Sequence, residues 1–170
     1  MEEVRIMAAE TDMALIIHDE SMPKGSRIVG IRQRLYAEAL QELSGICPVS
    51  IENASNCHDI RWFWHTYARS ITLDIGHLEA SGIDSLAFID EAREDLEEKL
   101  EFVHLHRVAG LRKGLRDHWG LVKGCKELRA LEHLLSFTKP KGIILEIIEV
   151  EDVAESLRLL RAIIHRAADT

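Results

Sequence analysis

Nine histidines in 170 residues set the first question, because imidazole both ligates metals and exchanges protons near neutral pH. Two of them follow a carboxylate by three positions, in Asp74-Ile-Gly-His77 and Glu101-Phe-Val-His104. That is the spacing by which di-iron helical bundles turn both groups toward one ion. On antiparallel helices joined near Gly82, however, the two pairs stand about a dozen residues out of step. At 1.5 Å per residue the offset is roughly 18 Å along the axis, too far for one centre. No HxxxH or HExxH occurs either, so no metal centre is expected.

A second constellation fits helical spacing better. The stripe Leu96, Leu100, Val103 runs on to His106 and Arg107, and Glu132 falls beside Leu128 and Leu135 on the apolar face of a following helix. Measured from a turn near Trp119, the three polar residues stand at one height. Buried charges without partners cost several kcal/mol, so these are expected to meet. They form either an ion pair that fixes helix register or a pocket. In the pocket Arg107 holds an anionic group, His106 exchanges a proton and Glu132 orients it. No cofactor is named by these residues.

His58, Trp62, His65 and Arg69 draw a third line, opposite the main stripe of their helix. Tryptophan and arginine are enriched at interaction hot spots, so this line is expected to be an interface with Trp62 as its anchor.

The elements that must hold these groups read as helices. Residues 26–43 carry Ile28, Ile31, Leu35, Ala39 and Leu43 on one face, and 57–78 carry Ile60, Trp64, Tyr67, Ile71, Ile75 and Leu78. Asp84 or Ser85 caps a helix whose stripe is Ile89, Ala92, Leu96, Leu100 and Val103. Residues 121–137 and a final helix follow. Residues 1–22 stay ambiguous: the apolar segments within 4–17 suit a β-hairpin or a helix. Residues 143–150 keep a helical period but are rich in β-branched side chains, so a short strand there is the alternative.

Composition bounds the rest. The 46% hydrophobic and 29% charged fractions belong to a globular chain, and 170 residues suit a single domain. A net charge of -8 argues against nucleic acid as a partner. Three cysteines without a CxxC suggest reduced thiols and a cytoplasmic setting, and the apolar runs are too short for a membrane span. GxGxxG, GxxxxGK[ST] and GxSxG are all missing from the sequence.

His106-Arg107-Val108-Ala109-Gly110, followed by Gly120-Leu121 and Leu131-Glu132, resembles the active helix pair of histidine phosphotransfer domains. The resemblance covers about a fifth of the chain. It implies a helical bundle whose His106 carries phosphate between signalling partners. The chain departs from that pattern at Ala109, where the family usually has lysine.

The expectation is therefore an all-α antiparallel bundle of about five or six helices, with a small β element from the N-terminus and 143–150 as the alternative. Its expected function is that of a self-associating interaction or regulatory protein, with Trp62 as the anchor for a second copy or another protein partner. The second reading is a ligand-binding or acid–base pocket at His106, Arg107 and Glu132, and the third a phosphotransfer-like domain.

Overall fold

The computed structural model describes residues 3, 6–7, 14–18, 28–54, 59–109 and 117–168. Five strands carry its centre: β1 (Leu15–His18), β2 (Val49–Glu52), β3 (Ile71–Asp74), β4 (Leu100–Leu105) and β5 (Gly142–Leu145). They form one sheet in the order β1-β2-β3-β4-β5, and every neighbouring pair is parallel. Parallel neighbours require a crossover. Helices supply it: α1 (Ile31–Ser44), α2 (Ile60–Tyr67), three short helices α3 (Ile75–Ala80), α4 (Ser85–Glu91) and α5 (Arg93–Lys99), and α6 (Lys126–Leu135). The last described helix, α7 (Val150–Ala168), follows β5. Strand order follows chain order in one direction, without the reversal that marks a doubly wound sheet. This is the winding of a (β/α) barrel.

The fold is thus α/β, and the expectation of an all-α bundle is corrected. The helix expected over 57–78 is helix, strand and helix, because α2 ends at Tyr67 and β3 runs over Ile71–Asp74. The stripe through Leu96, Leu100 and Val103 likewise crosses from α5 into β4. All four residues of β3 are buried. Its Ile-Thr-Leu-Asp alternation spans only four residues, whereas Ile71, with Ile75 and Leu78 beyond it, steps by three or four from Tyr67 and so satisfies a helical template. The two segments given a β alternative do contain strands, but these are β1 and β5, at opposite edges of the sheet.

Strand side chains alternate between faces. Ile51, Ile71, Leu73, Val103 and Leu105 join the main apolar cluster, together with Phe63 and Trp64 of α2, Ile75, Leu78, Ile89, Leu96 and Leu131. The opposite parity reads Ser50 and Glu52 on β2, Thr72 and Asp74 on β3, and His104 on β4, with Asp74 directly paired to His104. Ser50 and Thr72 share a buried hydroxyl hydrogen bond of 2.7 Å on this face. Apolar burial toward the helices thus leaves the other face free for ionisable groups.

Candidate functional site

Each strand ends, or is followed at once, by a histidine or a carboxylate: His18 after Ile17, Glu52 after Ile51, Asp74 after Leu73, His104 and His106 around Leu105, and Glu146 after Leu145. Parallel register brings these ends to one edge of the sheet, the edge at which barrel enzymes assemble their sites.

Backbone pairing sets Asp74 in place. The Asn53 side chain, one residue past β2, accepts the Asp74 N–H and donates to the Asp74 carbonyl, both at 2.8 Å. The amide extends the β2–β3 ladder with a side chain. Asp74 then caps α3, its Oδ1 accepting the His77 N–H at 2.7 Å. His77 Nδ1 stands 3.0 Å from the Asn53 carbonyl, so the ring donates there and keeps its Nε2 lone pair. Asp74 is fully buried, and its Oδ2 has no hydrogen-bond partner among the described residues.

Glu52, 3% exposed, is ringed by imidazoles. Its oxygens lie 3.1 Å from His104 Nδ1, 3.3 Å from His18 Nε2 and 3.7 Å from His77 Nδ1. Glu146 Oε1 lies 3.0 Å from the same His104 nitrogen, and its Oε2 3.4 Å from His118 Nε2. Among the described residues, the ion-pair partners of Glu52, Asp74 and Glu146 are all histidines. One donor atom each from Glu52, Asp74, His104 and Glu146 falls within 4.8 Å of the others, a spacing that suits a shared cation.

The charges are strongly coupled. Burial disfavours an ionised Glu52, but hydrogen bonds and attraction from His104 and His18 prevail and hold its carboxyl at about 2. Burial likewise opposes a charged His104, yet Glu146 and Glu52 push it up to about 10. Burial also resists charge on His106, and the adjacent Asp74 raises its proton affinity overall. The N–H of His118 works against that rise, because His106 Nδ1 accepts it at 2.9 Å only while unprotonated.

These shifts fix how the metal-free protein responds to pH. A depressed Glu52 contributes stability above its ordinary 4.5 and loses it as pH falls through about 2. A raised His104 contributes below its ordinary 6.5 and loses it as pH rises through about 10. Chelator-treated protein is expected to melt at its highest temperature between pH 4.5 and 6.5, and progressively lower toward pH 10. Melting curves that stay flat from pH 6.5 to 10 would contradict this.

The residues singled out from the sequence are scattered. His106 is buried 3.2 Å from Asp74. Arg107, next to it, donates its Nε–H to the Gly120 carbonyl at 2.8 Å. Glu132 is exposed on α6 and pairs with Arg166 of α7, so the expected layer of His106, Arg107 and Glu132 does not assemble. The height comparison behind it assumed two helices, and His106 follows a strand. Trp62 is half-buried and packs edge-on against Phe63 and Tyr67, while Tyr36 of α1 meets the same two rings. Trp62, Phe63 and Tyr67 therefore serve the packing of α1 and α2, while Trp64 packs on Phe88 of α4. His65 and Arg69 are exposed, and His58 lies outside the described residues. The separation that excluded Asp74 and His104 from one centre is likewise a helical distance. Between adjacent parallel strands the two residues are direct neighbours. Glu52 and Glu146 drew no attention in the sequence, although each closes a short aliphatic run.

No helix among the described residues is long and apolar enough to cross a membrane. No protein-family model matches the chain, and no curated protein sequence matches it. Among solved structures the chain is similar to the crystal structure of IolI protein with a bound zinc atom. The match covers 98% of this chain and 68% of that one, with a TM-score of 0.58 and 15% identity. The likeness is one of fold. Together with the parallel sheet and the inward packing of Trp62, it replaces the reading of the chain as a self-associating helical regulator.

Proposed function

We propose that this chain is a metal-dependent enzyme that performs acid–base chemistry on a small hydroxyl- or carbonyl-bearing substrate, with a divalent cation held by Glu52, Asp74, His104 and Glu146. The observation that carries this reading is the convergence of four donors from four consecutive strand ends. The buried, unpartnered Oδ2 of Asp74 supports it, since such an atom costs stability unless something takes its lone pairs. Three carboxylates and one imidazole form an oxygen-rich set suited to Mn2+, Mg2+ or Zn2+. The zinc in the similar solved structure agrees with that choice.

A bound divalent cation supplies Lewis acidity to a substrate oxygen, and four protein ligands leave room for such an oxygen. The chain's own residues do the rest. Glu52 and Glu146 spread negative charge on either side of His104. His18 beside Glu52 and the part-exposed His118 beside Glu146 stand at the rim, where each can take or return a proton. His77, anchored through Nδ1, presents its Nε2 as an acceptor. The free thiols of Cys47 and Cys125 fit a reducing, cytoplasmic setting.

Isothermal titration of chelator-treated protein with Mn2+, Zn2+ and Mg2+ tests the reading. One equivalent of at least one ion should bind to the wild type and none to His104→Ala. The proposal fails if the wild type binds none of the three, or if His104→Ala binds as the wild type does.

A further inference from the structure

We infer that His106 is a positioning residue for this site, a ring fixed in its Nε2–H tautomer that clamps one oxygen of Asp74 and so presents the other to the cation. The inference rests on the metal-site proposal and adds a residue that acts through a ligand without being one.

Hydrogen bonding settles the tautomer. His106 Nδ1 accepts the backbone N–H of His118 at 2.9 Å. A backbone amide can only donate, so Nδ1 holds a lone pair and the proton of the neutral ring sits on Nε2. Nε2 lies 3.2 Å from Asp74 Oδ1, too oblique for a full hydrogen bond, and makes no hydrogen bond with any described residue, so Asp74 is the acceptor it faces. Oδ1 is also held by the His77 N–H, which leaves Oδ2 free. His77 Nδ1, 3.4 Å from Oδ2, is committed to the Asn53 carbonyl.

The same tautomer removes His106 from the ligands themselves. His77, His106 and His118 lie close enough together to suggest a three-imidazole cation site. A ring whose Nδ1 is occupied and whose Nε2 bears hydrogen has no lone pair to give.

Three irregular features converge on this ring. Gly76 sits against it so closely that a Cβ there would fall 2.2 Å from His106 Cε1. His118 has φ 63°, a left-handed backbone that histidine adopts at a cost, and this conformation aims its N–H at His106. An isolated antiparallel bridge between Arg107 and Trp119 fastens the two segments, and the His118 ring stacks on His106 at 4.2 Å and 6°. A packing role alone would need none of the hydrogen-bond directions.

Three variants of the full chain separate the roles. Glutamine places an N–H near the Nε2 position, asparagine supplies an acceptor near Nδ1 without the Nε2 donor, and leucine supplies neither. Affinity for Co2+ and Zn2+ is read by chelator competition, the Co2+ absorption spectrum reports ligand geometry, and melting without metal reports the fold. His106→Leu and His106→Asn are expected to bind about ten- to a hundredfold more weakly, the range for residues that support a ligand, and to shift the Co2+ bands. His106→Gln should recover most of the affinity and the wild-type spectrum. Wild-type affinity in His106→Asn overturns the inference, as does a glutamine variant no better than leucine. If the wild type itself binds no cation, the metal-site proposal falls and this inference falls with it; if the wild type binds and His104→Ala does not, a wild-type result in His106→Asn overturns this inference alone.

Discussion

Glu52→Gln is expected to remove tight metal binding, weakening the affinity at least about a hundredfold. The change keeps shape and size, so its effect is electrostatic. Glu52 is the most enclosed charge of the cluster after Asp74, and it lies between three imidazoles. Loss of a group that merely orients a ligand costs ten- to a hundredfold, and loss of a ligand's own charge should reach or exceed the top of that range. The expectation converts into a melting experiment. With free metal at about a hundred times the wild-type dissociation constant, the wild type gains about 2.7 kcal/mol, whereas a hundredfold weaker site gains only about 0.4 kcal/mol. Glu52→Gln should therefore lose nearly all of the metal-dependent rise in melting temperature. The metal-free variant should also melt lower than the metal-free wild type near pH 7, because His104 loses one of the two carboxylates that outweigh its burial. An undiminished metal response would exclude Glu52 as a ligand.

That residue illustrates what the sequence conceals. Val49-Ser50-Ile51 before Glu52, Ile71-Thr72-Leu73 before Asp74 and Ile143-Ile144-Leu145 before Glu146 have the same form: three residues of strand and then an acid. Two of the runs do alternate, Val-Ser-Ile-Glu and Ile-Thr-Leu-Asp, but over only four residues, too few to stand out against the helical spacing of the aliphatics around them. Amphipathic α6 and the Asp84 cap of α4 were legible because a helix with one wet face keeps its period, and because a cap is a local hydrogen bond. The helix α1 was legible as an element, but its expected buried stripe was not, since Ile31, Leu35 and Ala39 are exposed and Leu40 is the residue it buries. The site was hidden for a different reason. Its residues come from five strand ends, from 18 to 146, and only parallel pairing makes them neighbours. Asp74 and His104 were visible as ionisable residues, but a helical rise of 1.5 Å per residue assigned them the wrong separation. An aliphatic residue followed at once by His, Asp or Glu at five strand ends (Ile17-His18, Ile51-Glu52, Leu73-Asp74, Val103-His104 and Leu145-Glu146) was the available signal.

Gly76→Ala carries the second large expectation, because the two physical terms it changes have opposite signs. Gly76 lies within α3, where alanine is the better helix former by about 1 kcal/mol. Against that gain stands the ring of His106, whose Cε1, Nδ1 and Nε2 would lie 2.2, 2.4 and 2.5 Å from the new methyl carbon. The ring cannot swing away cheaply. It is fully buried, stacked on His118 and held through Nδ1 by a backbone N–H. Overpacking of this kind costs about 1–3 kcal/mol, so a net destabilisation of up to roughly 2 kcal/mol is expected in the wild-type background. A displaced ring also releases Asp74, so the metal affinity of Gly76→Ala should fall toward that of His106→Leu. Removing the ring reverses the sign. In His106→Ala the clash is gone while the helix gain remains, and adding Gly76→Ala to that background should leave stability unchanged or raise it. Calorimetric melting of the two single variants and the double variant completes the cycle. An equal loss from Gly76→Ala in both backgrounds would mean that the glycine answers to its own backbone and not to His106. Inversion of the sign would tie a helix glycine, a buried imidazole and a carboxylate at a strand end into one device.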